Sequence, residues 1–91
     1  MSPVYISCKI LKGIFDDECY VMVNGSAAYY INNRLIRTAP GVVLTSDTPV
    51  IGEVQGYAIE SQGGKTLVQL PGEVVVGGVR TWVENQAVIA A

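Results

Sequence analysis

The sequence predicts an all-β fold, a small antiparallel barrel or sandwich of seven to nine short strands. Of the 91 residues, 14 are Val, 8 are Ile and 5 are Thr, so almost a third of the chain is β-branched. Such side chains lose rotamer freedom in helices and pack well on a pleated sheet. Turn-forming residues recur about every 6 to 12 positions, and no helical period extends beyond one turn. Small barrels and sandwiches have this pattern.

Length and charge limit both the organisation of the chain and its partners. A chain of 91 residues is expected to form one domain, spanning residues 1–91. An apolar content of 49% with a net charge of -2 excludes intrinsic disorder. The sequence pI of about 4.8 shows no excess of cations to neutralise phosphates, so a nucleic-acid partner is not expected.

Two further features predict where the protein works. No apolar run approaches the roughly 20 residues that cross a bilayer, so no membrane partner is expected. Residues 1–9 lack the basic segment and long apolar stretch of a signal peptide. The sequence therefore predicts a cytoplasmic location, or a place in a virion assembled there.

The first half of the chain contains three predicted strands. Residues 4 to 11 alternate between the two faces of a strand, the pattern of a half-buried strand. A turn at residues 13–18 leads into a second strand, and Asn24-Gly25-Ser26 favours a hairpin turn into a third strand over residues 27–31. Residues 32–34 are expected to form a loop or one 3-10 turn. The side chains predicted to face the core are those of Val4, Ile6, Cys8, Ile10, Cys19, Val21 and Val23.

In the second half, short apolar segments alternate with turn residues. Gly52 or Gly56 is expected to form a bulge in the longest of these strands. Gly77-Gly78 is expected to join the segments before and after it into a hairpin. The predicted strand segments are 42–45, 50–60, 65–70, 73–76, 79–83 and the terminal stretch 87–91.

One stretch of the first half resembles one of the second half. Residues 30–36 and 82–88 match class for class at seven positions, and a Gly stands five residues before the aromatic of each. Only one of the seven pairs is identical, Asn33 with Asn85, and the two stretches lie 52 positions apart. A repeat of two halves and a chance similarity both account for this match.

The end of the chain resembles SH3-like barrels. The hairpin strand at residues 65–70, the strand at 79–83, the polar turn at 84–86 and the apolar segment at 87–89 carry the resemblance, which implies a small barrel. The acidic loop and the N-terminal aromatic strand motif of peptide-binding SH3 domains are missing. The resemblance therefore does not imply that this chain binds proline-rich ligands.

A second resemblance lies in residues 40–76. The Pro-Gly-Val-Val-Leu-Thr stretch, the strand from Ile51 to Glu60 and the segment from Gly63 to Leu70 look like small β-rich decoration proteins of phage capsids. This resemblance is one of composition, and it implies a virion component.

The residue types exclude most enzyme chemistry. The chain has no His, which is the commonest general base and metal ligand. Cys8 and Cys19 are expected to be buried free thiols, with a cross-strand disulfide as the alternative. Two thiolates leave a zinc ion two ligands short, and Asp16-Asp17-Glu18 reads as a solvated turn. We therefore expect a non-enzymatic protein with no catalytic residues, no metal site and no cofactor.

Aromatic and cationic side chains are the candidate binding residues. Alternation in the strand of residues 79–83 puts Arg80 and Trp82 on the outer face, and large aromatics are common interface anchors. Aromatics among cations also suit single-stranded nucleic acid, because any base can stack on a ring. The candidate binding residues are Trp82, Arg80, Tyr29, Tyr30, Arg34 and Arg37.

These observations favour a binding or assembly module that associates with a protein partner or with itself as a homo-oligomer. Unpaired strand edges are prone to association, and monomers often protect them with lysine, of which this chain has three. The alternatives are a single-stranded nucleic-acid binder and a phage virion component of the capsid or tail. The outward apolar residues that support association are Leu11, Met22, Leu67 and Trp82.

Overall fold

The computed structural model describes residues 1–25, 27–72 and 74–91. Within these ranges the chain forms nine strands and two 3-10 helices of one turn each, which confirms the predicted all-β fold. All strand pairs are antiparallel. In chain order the elements are β1 (Ser2–Lys12), β2 (Glu18–Val23), β3 (Ala27–Asn32), the first 3-10 helix (Asn33–Leu35), β4 (Ile36–Arg37), β5 (Val50–Gln62), β6 (Lys65–Gln69), β7 (Val74–Val76), β8 (Arg80–Glu84), the second 3-10 helix (Asn85–Ala87) and β9 (Val88–Ala90).

The core lies on the faces that period-two alternation predicts. All seven side chains assigned to the core in β1 and β2 are buried, and the later strands add their own alternate residues. Asn24 and Gly25 have φ angles of 47° and 68°, which the predicted hairpin turn between β2 and β3 requires. Ser26 and Glu73, to which two of the predicted segments extend, lie outside the described residues. The core residues contributed after β2 are Ala27, Tyr29, Ile31, Val54, Thr66, Val68, Leu70, Val83 and Ala87.

Three predictions about the second half are wrong. Residues 42–45 form no strand: Leu44 packs on the core and the Thr45 carbonyl accepts one bond, from the Lys12 amide at 2.8 Å. The register between β1 and β5 runs without interruption past Gly52 and Gly56, and the irregularity lies between Ala58 and Glu60.

The third error concerns the predicted hairpin around Gly77-Gly78. β7 pairs with β3, whereas β8 pairs with β6, so the two segments belong to different parts of the sheet. Both glycines have positive φ, at 91° and 80°, and they carry the chain from one part to the other.

The sheet closes on itself twice. β1 and β5 pair at nine positions, from Ser2 opposite Ala58 to Ile10 opposite Val50. One ring runs through β1, β2 and β3, then by the first 3-10 helix to β4 and back to β5. The other runs through β5, β6 and β8, then by the second 3-10 helix to β9 and back to β1. The antiparallel sheet is thus nearly closed into a barrel, in agreement with the predicted fold class.

The two rings are structural repeats of one another. β4 pairs with β5 at Ile36 opposite Val54, and β9 pairs with β1 at Val88 opposite Ile6, while Ile6 and Val54 face each other. Each 3-10 helix also begins with the same backbone bond. The Asn33 amide donates to the Asp17 carbonyl at 2.8 Å, and the Asn85 amide donates to the Gly64 carbonyl at 3.1 Å. The match between residues 30–36 and 82–88 therefore reflects a repeated architecture.

Gly56 stands where another strand passes very close to β5. A Cβ atom at this position would lie 2.8 Å from the Gln69 carbonyl oxygen and 2.8 Å from the Ile6 Cδ1 atom. The Gln69 carbonyl belongs to the backbone, so it cannot move away by a side-chain rotation. A side chain at position 56 would therefore force β5 and β6 apart.

Both cysteines are free and buried, as predicted. Burial raises the pKa of the Cys8 thiol from 9.0 to about 12, with smaller contributions from Cys19 and Glu53. Burial, followed by the charge of Glu18, raises the pKa of the Cys19 thiol from 9.0 to about 11. The folded protein therefore holds both thiols in the neutral form.

We expect Gly56→Ala to lower the free energy of unfolding by about 1–3 kcal/mol, the usual cost of overpacking. Denaturant melts followed by circular dichroism measure this change. The control is Gln55→Ala, next to it on the exposed face, which should change stability by about 0.5 kcal/mol or less. Equal stability of Gly56→Ala and the wild type would contradict the close approach of β6.

We expect the free energy of unfolding to fall as the pH rises through the range from about 9 to about 12. Unfolded thiols ionise near pH 9.0, whereas the folded thiols resist ionisation, so the stability present below pH 9.0 is lost above it. The readout is the difference in slope between the wild type and Cys8→Ala/Cys19→Ala, because every other ionisable group is common to both proteins. The same slope for both proteins would exclude the thiols as the cause.

Candidate functional site

The outer face of β5, β6 and β8 carries a cluster of large side chains, which we call the Trp82 surface. Strand register places Leu67 opposite Trp82, and places Gln69 between Tyr57 and Arg80. Trp82 is 38% exposed and Tyr57 is 48% exposed. The Arg80 Nε donates to Gln69 Oε1 at 3.3 Å, which holds the guanidinium along the sheet. The Trp82 surface consists of Tyr57, Leu67, Gln69, Arg80 and Trp82.

Alternation within the strands turns these side chains outward. In β8 the neighbouring Val83 is 3% exposed, and in β6 the neighbours Thr66 and Val68 are buried. Successive side chains of a strand point to opposite faces, so Trp82 and Leu67 cannot share the core with these residues. The apolar cluster is therefore fixed by the core packing behind it.

A shallow groove borders the Trp82 surface. It has a volume of about 440 Å³ and shares Tyr57 and Gln69 with that surface. Pro3, Leu70 and Pro71 make much of the remaining wall apolar. The groove extends the exposed apolar area towards the first residues of β1.

The first half presents an aromatic pair at the positions that correspond to Leu67 and Trp82. Tyr20 and Tyr30 are opposite each other in register, with ring centroids 4.8 Å apart and planes tilted by 52°. Tyr30 is 41% exposed. In the repeat, Tyr30 occupies the position of Trp82, and Tyr20 that of Leu67. The predicted binding residues Tyr30 and Trp82 therefore belong to two corresponding surfaces rather than to one site.

Several of the cations are already bound by neighbouring side chains. The Arg37 guanidinium lies 3.6 Å from the centre of the Tyr5 ring, and its Nε donates to Glu53 Oε1. Lys65 Nζ is 3.8 Å from Glu84 Oε1. Such neighbours compete with phosphate groups for the same cations.

Arg34 is exposed on the first 3-10 helix. Its backbone amide donates a hydrogen bond to Asn32 Oδ1 at 2.9 Å. Arg34 and Arg37 thus belong to the first half, on the first 3-10 helix and β4, whereas Arg80 lies on β8 with Trp82.

The selection of Tyr29 as a binding residue is wrong, because its side chain is fully buried. Tyr29 lies opposite Val21 and in phase with Ala27 and Ile31, all of which face the core. Its hydroxyl group is buried with no hydrogen-bond partner among the described residues, and burial raises its pKa. Strict alternation from Ala27 separates Tyr29 from Tyr30, whereas the prediction kept the pair together.

Tyr57 and Gln69 are not among the binding residues predicted from the sequence. The alternation of β5 and β6 could have identified them. Along each strand, Tyr57 and Gln69 fall at the exposed or half-buried positions, and Val54 and Val68 fall at the buried positions between them. Their register with Arg80 comes from strand pairs that the sequence alone does not specify.

In the acidic turn between β1 and β2, Glu18 forms hydrogen bonds with backbone groups of the same turn. The Ile14 amide donates to Glu18 Oε1 at 3.4 Å, and the Glu18 amide donates to the Phe15 carbonyl at 3.1 Å. Among the described residues, no group of three or more His, Cys, Asp or Glu side chains is arranged to hold a metal ion. The described part of the chain also contains no helix long and apolar enough to span a membrane.

Comparisons with protein-family models, with curated proteins and with solved structures give no match to this chain. Its function must therefore be inferred from its own geometry.

Proposed function

We propose that the chain is a non-enzymatic assembly module that associates with itself through the Trp82 surface. The observation that carries this proposal is the position of Trp82, 38% exposed on β8, which lies at the end of the strand order. Exposed apolar clusters beside an unpaired edge favour association. Both a cytoplasmic interaction module and a virion component fit this function.

Trp82 has the properties of an interface anchor. Its side chain stands opposite Leu67 and on the same face as Arg80, and it is already partly covered at 38% exposure, so a partner would cover the rest at little cost in side-chain entropy. Anchors of this kind contribute most when a partner excludes the remaining water. The flanking Arg80 and Glu84 supply the polar rim that such interfaces have.

The charge distribution supports a protein partner over single-stranded nucleic acid. Arg37, Arg80 and Lys65 each lie against a polar or acidic neighbour of the same chain, and the net charge is -2. A phosphate chain would have to displace these neighbours, and the overall charge would repel it.

We expect Trp82→Ala to weaken self-association at least about tenfold, because anchor residues contribute about 2 kcal/mol or more. Unfolding of the monomer should lose only about 1–2 kcal/mol, below the roughly 3–5 kcal/mol of a fully buried large aromatic. Sedimentation velocity over a concentration series measures association, and a denaturant melt of the same sample measures stability.

The matched control is Tyr30→Ala, which removes the corresponding aromatic from the first half, where β7 covers the strand edge. It should leave association unchanged within about twofold. A wild type that stays monomeric at all concentrations would refute the assembly function. Retention of the wild type on a heparin column at low salt would instead favour nucleic-acid binding.

A further inference from the structure

One edge of β8 pairs with no strand of residues 1–25, 27–72 or 74–91, and the backbone groups on that edge can be assigned. The Leu70 amide donates to the Val79 carbonyl at 2.7 Å, and the Asn85 amide donates to the Gly64 carbonyl at 3.1 Å. These bonds stand at the two ends of one continuous antiparallel register between β6 and β8. Because bonding alternates along such a ladder, Thr81 and Val83 bond to β6, whereas Arg80, Trp82 and Glu84 direct their amides and carbonyls away from it.

In the first half the corresponding edge is covered. β7 pairs antiparallel with β3 at Ala28 and Tyr29, whose equivalents in the repeat are Arg80 and Thr81. No strand in the described ranges occupies the same place on β8. The fold thus contains two equivalent edges, and this chain supplies a covering strand for one of them.

The sequence of β8 is complementary to itself when two copies run antiparallel. With Trp82 opposite Trp82 of a second copy, Arg80 stands opposite Glu84 and Thr81 opposite Val83. Residues directly opposite in an antiparallel pair point to the same face, with Cβ atoms about 4.5–5.5 Å apart. Two Arg–Glu pairs would therefore flank a central aromatic pair on the exposed face.

The charges also select this register over its neighbours. Displacing one strand by two residues along the other, the shortest shift that keeps the same faces together, places Trp82 opposite Arg80 or Glu84 of the other copy and breaks both Arg–Glu pairs. A displacement by four residues places Arg80 opposite Arg80 or Glu84 opposite Glu84. Like charges directly opposite are unfavourable. The centred register alone pairs all four charges with opposite partners.

We propose that two copies of this chain pair antiparallel through their β8 strands about a two-fold axis at Trp82, joining their sheets into one. This inference rests on the proposed self-association and names the surface that mediates it. Each free amide of Arg80, Trp82 and Glu84 would then donate to the partner copy. Because the strand is only five residues long, we expect a concentration-dependent dimer rather than a permanent one.

Amide hydrogen exchange tests the pairing directly. On raising the protein concentration through the range of association, the Trp82 amide should gain protection at least about tenfold. The Thr81 and Val83 amides, which bond to β6, should be protected at every concentration, and so should the Ala28 amide opposite β7. Association without added protection at Trp82 would overturn the pairing and leave the proposed function intact.

Charge reversal tests the register. Arg80→Glu or Glu84→Arg alone places like charges opposite each other twice in the dimer, and each should weaken dimerisation about tenfold or more. The double variant Arg80→Glu/Glu84→Arg restores both pairs and should return the dissociation constant to within about threefold of the wild type. Denaturant melts check that the single variants remain folded.

The outcomes for the double variant and for the wild type distinguish the centred register from the proposed self-association. A double variant as weak as the single ones, in a wild type that does associate, would overturn the centred register. A wild type that remains monomeric would remove the proposed function and the pairing together. Rescue by the double variant would support both, because the exchange restores the two Arg–Glu pairs of the centred register.

Discussion

The pairing of β1 with β5 is the constraint on which the rest of the structure depends. Ile6 and Val54 face each other at its centre, and both are fully buried. β4 closes the first ring against Val54, and β9 closes the second ring against Ile6. Each ring therefore closes on a strand that also belongs to the other. Neither ring can form its last strand pair without a strand of the other half, so the two halves depend on each other for closure despite their internal repeat.

The two halves differ where single residues have changed. Thr66 Oγ1 donates to Asn85 Oδ1 at 2.7 Å, which fixes the second 3-10 helix against β6. The equivalent of Thr66 is Cys19, whose Sγ lies 3.6 Å from the Ile31 carbonyl, and the buried Asn33 Oδ1 has no partner among the described residues. In the first 3-10 helix the Asn33 side chain instead donates through its Nδ2 atom to the Asp16 carbonyl at 3.1 Å. The two halves thus hold equivalent 3-10 helices with different side-chain hydrogen bonds.

The sequence predicts what is local and misses what depends on distant strands. Alternation correctly places Val4, Ile6 and Cys8 in the core, and the polar turn after β3 is the expected 3-10 helix. The hairpin predicted around Gly77-Gly78 fails because β7 finds its partner in β3, more than 40 residues away. The strand predicted at residues 42–45 fails because β propensity without a neighbouring strand forms no ladder. For the site, alternation predicts the outward Trp82, whereas its neighbours Tyr57 and Gln69 depend on register.

The duplication of one ring explains why this chain exposes a strand edge at all. A repeat creates two equivalent edges, on β3 and β8, and the connection between β6 and β8 is long enough to place β7 on one of them. The edge of β8 carries Arg80 and Glu84 on either side of Trp82, and charges on an edge normally prevent open-ended strand addition. In a two-fold pair the same charges become partners, and the pair uses the β8 edge of both copies. The free edge of β7 is only three residues long, too short to template a further strand. Association through β8 would therefore stop at two copies instead of growing into a fibre.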